Sequence, residues 1–135
     1  MLLAVQLYLV RHAQAADGEP DELRPLTAEG RRAARELGDC LAAEGIRPDA
    51  VLTSPLLRAR ETAAEVARPA GLQAEADERL APGATAEDVK AAASERGETI
   101  VVVGHQPDCS QIAAALTGGE EPAFPPAGML AIELA

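Results

Sequence analysis

The sequence predicts an α/β fold: a three-layer sandwich in which a mainly parallel central sheet carries helices on both faces. Two observations predict it. Short apolar runs without polar alternation, suited to strands buried on both sides, recur along the chain, and helical patterns separate them. At 135 residues the chain fits one domain spanning 1–135, able to bury roughly two thirds of its unfolded surface.

The elements follow in order. Val5 to Val10 is a strand of apolar and β-favouring residues. Thr27 is placed to cap a helix that carries Ala34, Leu37 and Leu41 at helical spacing and stops at Gly45. Ala50 to Thr53 is the second strand. A second helix begins after Pro55 and runs through Arg58, Thr62 and Val66 until Arg68-Pro69 ends it. A further short strand is expected near Leu72 to Ala74. The third helix, Ala86 to Glu95, follows Thr85 with Asp88 three residues on, close to a capping box. Ile100 to Val103 is a strand, and a fourth helix opens near Pro107-Asp108 and reaches Leu116 before Gly118-Gly119. The Pro-rich stretch Glu121 to Gly128 is a loop leading into a last strand at Leu130 to Leu134.

Composition narrows the function. Tyr8 and Phe124 are the only aromatic residues, so the core is built from Ala, Leu, Val and Ile. A formal net charge of −10 disfavours nucleic acid and anionic membranes as partners, so any anion site must be local. No apolar run approaches the roughly 20 residues of a membrane span, and Met1 to Val10 lacks the pattern of a secretory peptide, so a cytoplasmic protein is expected. Two cysteines suit a reducing compartment; Cys40, in a helical pattern with Leu37 and Leu41, is expected to be packed. A monomer is the default for a chain of this size.

Polar residues of one chemical kind follow three of the strands. LYLV runs into Arg11 and His12, VLTS is followed by Arg58, and VVVG is followed by His105. Ligands of open α/β sheets bind outside the carboxyl ends of the strands, where several loops meet. Both of the chain's two histidines fall there. Two arginines and two imidazoles form a compact positive pocket suited to an oxyanion such as a phosphoryl group. Two histidines without a close third ligand do not make a zinc site, although Asp17 and Asp108 lie within reach in sequence, so no metal and no cofactor are expected. Arg60, Arg31 and Arg32 lie on Glu-rich helices and read as solvated ion-pair partners.

These blocks, LVRHAQA, SPLLRARETA and VVVGHQPD, resemble the signatures of the histidine phosphatase superfamily, the phosphoglycerate-mutase-like family, in its order and at compatible spacing; RPLTAEGRRAA between them is also similar. The resemblance implies that His12 is a nucleophile that becomes transiently phosphorylated, with Arg11, Arg58 and His105 holding the phosphoryl oxygens. A neutral imidazole is a competent nucleophile near pH 7, and cationic donors stabilise charge on the equatorial oxygens. Ala13 stands where many relatives have Gly and keeps the chain small beside the phosphate; Gly104 is expected to serve a similar need beside His105.

Many members of that family carry an acid after the third strand region. Here the matching stretch reads Leu80, Ala81, Pro82, and proline donates no proton; Glu78 and Glu87 are the nearby substitutes. An alkoxide leaving group needs such an acid, whereas the nitrogen of a phosphohistidine departs readily. The short chain and the missing acid select the family's phosphohistidine phosphatases, acting on a phosphorylated signalling or phosphotransfer protein. The alternatives are a phosphomonoesterase acting on a small phosphorylated metabolite and a phosphate-binding module without turnover. A Cys/His pair of Cys109 and His105 is a further nucleophilic possibility, since Cys109 lies near a helix start.

Overall fold

The computed structural model describes residues 4–134. Five strands form one sheet: β1 (Val5–Arg11), β2 (Ala50–Thr53), β3 (Glu75–Ala76), β4 (Thr99–Gly104) and β5 (Met129–Leu134), in the spatial order β3-β2-β4-β1-β5. β1 pairs in parallel with β4 from Gln6↔Thr99 to Arg11↔Gly104, and β4 pairs in parallel with β2. β5 runs antiparallel along the other side of β1, the single reversal in an otherwise parallel sheet. Residues 1–3 and 135 of the expected domain lie outside the described residues.

Side-chain alternation divides the core in two. Leu7, Leu9, Ile100 and Val102 face Val89 and Ile112, on α3 (Ala86–Ala93) and α4 (Asp108–Thr117) respectively. Val10, Val101 and Val103 face the opposite way, against Leu41 of α1 (Ala28–Ala43) and Ala59, Ala63 and Val66 of α2 (Leu57–Ala67). The central strands are therefore apolar on both faces because both faces are covered. The helix after β1 lies on one face and the helix after β4 on the other, so the carboxyl ends of these neighbouring strands border a topological switch point.

Helix boundaries follow their local signals. The Thr27 hydroxyl accepts the Gly30 N–H, and Thr85 with Asp88 forms a complete capping box. Gly30 has a tertiary reason as well: a Cβ there would lie 2.1 Å from the Gln14 carbonyl oxygen, so only glycine lets α1 start against the segment leaving β1. Gly38 plays the same part deeper in the helix, where a Cβ would meet the Glu65 carbonyl oxygen at 2.5 Å.

Two expectations need correction. The short strand lies at Glu75–Ala76 and not at Leu72 to Ala74: Leu72 and Ala74 pack on the core, but backbone pairing with β2 begins only at Leu52↔Glu75. Cys40 is exposed, because the buried stripe of α1 runs through Gly30, Ala34, Gly38 and Leu41 and leaves position 40 on the solvent side. At Gly104 a Cβ would meet the Cys109 sulfur at 3.8 Å, an ordinary contact. Among the described residues no helix is long and apolar enough to cross a membrane.

Candidate functional site

The parallel strands deliver their last residues to one edge. β1 ends at Arg11, and His12 continues beside β4 by donating its N–H to the Gly104 carbonyl (2.9 Å). Beyond β2, Ser54 stays in line by donating its N–H to the Val103 carbonyl (3.0 Å). Beyond β4, His105 is buried at 4% exposure. The rings of His12 and His105 meet edge to face, with centroids 5.2 Å apart.

The state of each ring is set by its partners. His12 Nδ1 lies 2.7 Å from the Ala13 carbonyl oxygen, which can only accept, so Nδ1 carries the proton and Nε2 keeps its lone pair. Burial, ahead of the charges of Arg58, Arg11 and Arg24, holds His12 below the usual histidine range, although the Ala13 bond opposes this. His105 is pushed down to about 4, first by burial and then by His12 and Arg58, with Asp21 opposing. Both rings are therefore neutral near pH 7.

Several contacts brace this edge. Ala13 is fully buried, and its N–H donates to the Thr62 hydroxyl (3.0 Å), which donates in turn to the Arg58 carbonyl (2.8 Å). The segment that carries His12 is thus pinned to the first turns of α2. Arg58 is itself nearly buried; its Nη1 donates to the Asp21 carbonyl (2.9 Å) and its Nη2 to the Asp21 carboxylate (3.2 Å). Arg11 donates through Nη1 to the Phe124 carbonyl (2.8 Å), while its buried Nε has no hydrogen-bond partner. The loop before β5 completes the edge, with the Ala127 N–H donating to the His12 carbonyl (3.3 Å).

The structure thus gathers His12, His105, Arg11 and Arg58 around one edge, where two guanidinium groups flank two neutral imidazoles. Such a set can bind a tetrahedral oxyanion and offer a nitrogen lone pair to its centre.

Other candidates lie elsewhere. Cys109 is fully buried among apolar residues, its sulfur 3.7 Å from the Val10 carbonyl, and burial pushes the thiol up to about 12; a Cys/His nucleophilic pair is excluded because the thiolate does not form there near neutral pH. Asp108 accepts the Gly83 N–H (2.8 Å) and so ties down the turn that follows Pro82. Glu87 is 83% exposed and pairs with Lys90, and Glu78 lies exposed in a 3₁₀ turn, Glu78–Leu80. Arg31 pairs with Glu61 across the α1–α2 contact, and Arg60 donates to the Pro55 carbonyl. Asp17 is exposed, and among the described residues no three His, Cys, Asp or Glu side chains converge as metal ligands would.

Five neighbours of the site were not identified from the sequence: Asp21, Arg24, Ser54, Thr62 and the Phe124 carbonyl. Ser54 and Thr62 sit inside SPLLRARETA and Arg24 inside RPLTAEG, so the motif text contained them; Asp21, one of 22 acidic residues, carried no signal of its own.

Comparisons with known proteins place the chain among relatives of one family. The model of the histidine phosphatase superfamily (branch 1) matches residues 7–82. Phosphohistidine phosphatase SixA of Escherichia coli is 31% identical over 125 residues, covering 87% of this chain and 78% of that protein. An uncharacterised protein of Mycobacterium tuberculosis is 40% identical over 114 residues, covering 79% of this chain and 69% of its own length. Among solved structures, the protein histidine phosphatase SixA complexed with tungstate superposes with a TM-score of 0.85 at 29% identity, covering 94% of this chain and 86% of that one.

Proposed function

From the premise that this chain belongs to the histidine phosphatase superfamily, we propose that it is a metal-independent phosphatase that removes phosphate from phosphohistidine on a signalling or phosphotransfer protein. The observation that carries this reading is the unprotonated Nε2 of His12, oriented by the Ala13 carbonyl and faced by His105 and two arginines.

The reaction runs in two displacements. The substrate phosphoryl group binds with its equatorial oxygens on Arg11, Arg58 and His105, which satisfies the buried Arg11 Nε and neutralises developing charge. The His12 Nε2 lone pair attacks phosphorus in line while the bond to the leaving group breaks. The phosphorylated ring retains its Nδ1 proton on the Ala13 carbonyl, so the ring is an imidazolium that can leave phosphorus as neutral imidazole. Water then attacks phosphorus, the electron pair returns to Nε2, and inorganic phosphate leaves as the dihydrogen anion carrying both of the water's protons.

Chemistry at the leaving group supports phosphohistidine. At Pro82 the chain has no proton donor, and Glu78 and Glu87 are exposed. An imidazole leaves without one. The test is turnover of a phosphohistidine-bearing protein against a panel of sugar and nucleotide monoesters, with acid-labile label sought on His12. Rapid turnover of phosphohistidine with label on His12 is expected. Preference for monoesters would favour a small-molecule phosphomonoesterase, and binding without label would favour a phosphate-binding module.

A further inference from the structure

A carboxylate shares the arginine that the proposed mechanism assigns to phosphate. The loop carrying it is tethered at its base by the Ala15↔Leu26 bridge and the Ala16 N–H on the Pro25 carbonyl (2.8 Å). Arg24 fastens it further, donating through Nε to the Ala16 carbonyl (2.8 Å) and through Nη1 to Asp21 Oδ1 (3.0 Å). Asp21 thereby reaches Arg58 twice, through its backbone carbonyl and through Oδ2, while its side chain stays 61% exposed on the solvent side. Hydrogen bonds from Arg24 and then Arg58 hold the carboxyl below the usual carboxylate range, so it is ionised at neutral pH, and its charge is felt at His105.

For a general phosphatase this placement is a handicap. A carboxylate and a phosphoryl oxygen on one guanidinium repel each other, which weakens binding of any dianionic phosphate with a neutral leaving group. The handicap becomes an advantage when the leaving group carries a positive charge and an N–H. A phosphorylated imidazole protonated at its far nitrogen has both.

We propose that Asp21 is a specificity-determining residue, whose exposed carboxylate accepts the N–H at the far nitrogen of the substrate's phosphorylated imidazole. This rests on the phosphohistidine reading above and names the group that selects that substrate. The far nitrogen keeps its proton throughout. As His12 Nε2 bonds to phosphorus, the P–N bond breaks with its electron pair passing to the near nitrogen, and the ring leaves as neutral imidazole with no proton transferred. The two rings on either side of phosphorus then have matched supports: the far N–H of His12 on the Ala13 carbonyl, and the far N–H of the substrate on Asp21. An acid at Pro82 becomes unnecessary for this leaving group.

The test compares Asp21→Asn with the unaltered protein on a phosphohistidine peptide and on p-nitrophenyl phosphate, alongside tungstate binding. The amide keeps an oxygen for Arg58 but removes the charge. The ratio of kcat/KM for phosphohistidine to kcat/KM for the ester should fall at least about tenfold, the scale of one hydrogen bond to a charged group, and tungstate should bind more tightly. An unchanged ratio, with both substrates and tungstate weakened together, would make Asp21 a mere support for Arg58 and overturn the proposal. Should the unaltered protein fail to hydrolyse phosphohistidine at all, the functional reading falls and the proposal with it, an outcome separate from an unchanged ratio.

Discussion

The Ser54 hydroxyl oxygen lies 2.7 Å from His105 Nε2, and the same oxygen accepts the Leu56 N–H at 3.2 Å. For His105, neutral and buried, to donate from Nδ1 to an anion as the proposed mechanism requires, its Nε2 must accept, and the Ser54 hydroxyl is the group placed to donate to it. Ser54→Ala frees His105 to adopt the other tautomer, which presents a lone pair to an anion. The expected result is a loss of kcat/KM on the order of tenfold, about 1–2 kcal/mol, with His12 still labelled. Nitrogen chemical shifts of His105 would report the tautomer directly, and an unchanged tautomer with unchanged rate would dismiss the role of Ser54.

His12→Ala should abolish hydrolysis and acid-labile labelling while tungstate still binds, because the positive flank of the site remains. Arg58→Ala should weaken both, by roughly 2–3 kcal/mol, since a charge-assisted clamp is lost and Asp21 is left without its partner. Isothermal titration with tungstate beside steady-state kinetics separates the two effects; full activity in His12→Ala is the result that contradicts the mechanism.

The pH dependence has a definite sign. His105 binds its proton at about 4 in the folded protein against 6.5 ordinarily, so its contribution to stability is complete above pH 6.5 and is lost as pH falls toward 4, where the unfolded chain takes up the proton first. The loss is on the order of 3 kcal/mol. Urea unfolding at pH 7.5 and pH 5 should capture roughly 2 kcal/mol of it, the part lost between 6.5 and 5, and the same pair of curves for His105→Asn separates it from the easing of the net −10 charge. With His12 also lowered, the acidic limb of kcat/KM should lie below the ordinary histidine range; a limb above it would contradict burial as the cause.

Cys109→Ser should leave turnover nearly intact and lower stability by about 1–3 kcal/mol, because it buries a hydroxyl among apolar neighbours. A complete loss of turnover in a folded variant would reinstate the thiol.

A chelator should not slow the proposed reaction, since its nucleophile is a side-chain nitrogen and its charge stabilisers are guanidinium and imidazole groups. Inactivation by EDTA that divalent ions reverse would require a different mechanism.

Features that depend on short stretches of chain are legible in the sequence. Strands such as Val5–Arg11 and Thr99–Gly104 are apolar on both faces, helices announce their caps at Thr27 and Thr85, and His12 and His105 stand just past strand ends. Which distant groups share a neighbour emerges only once the chain is folded. Asp21 meets Arg58 across 37 residues and the Phe124 carbonyl meets Arg11 across 113, separations that no local periodicity encodes. Cys40 and the Glu75–Ala76 strand belong to the same class, since the face a helix buries and the point where an edge strand begins to pair are set by the neighbours they pack against. The physical reason is that propensity and periodicity act within a few residues, whereas sheet order and close backbone approach, as at Gly30 against Gln14, fix which loops converge.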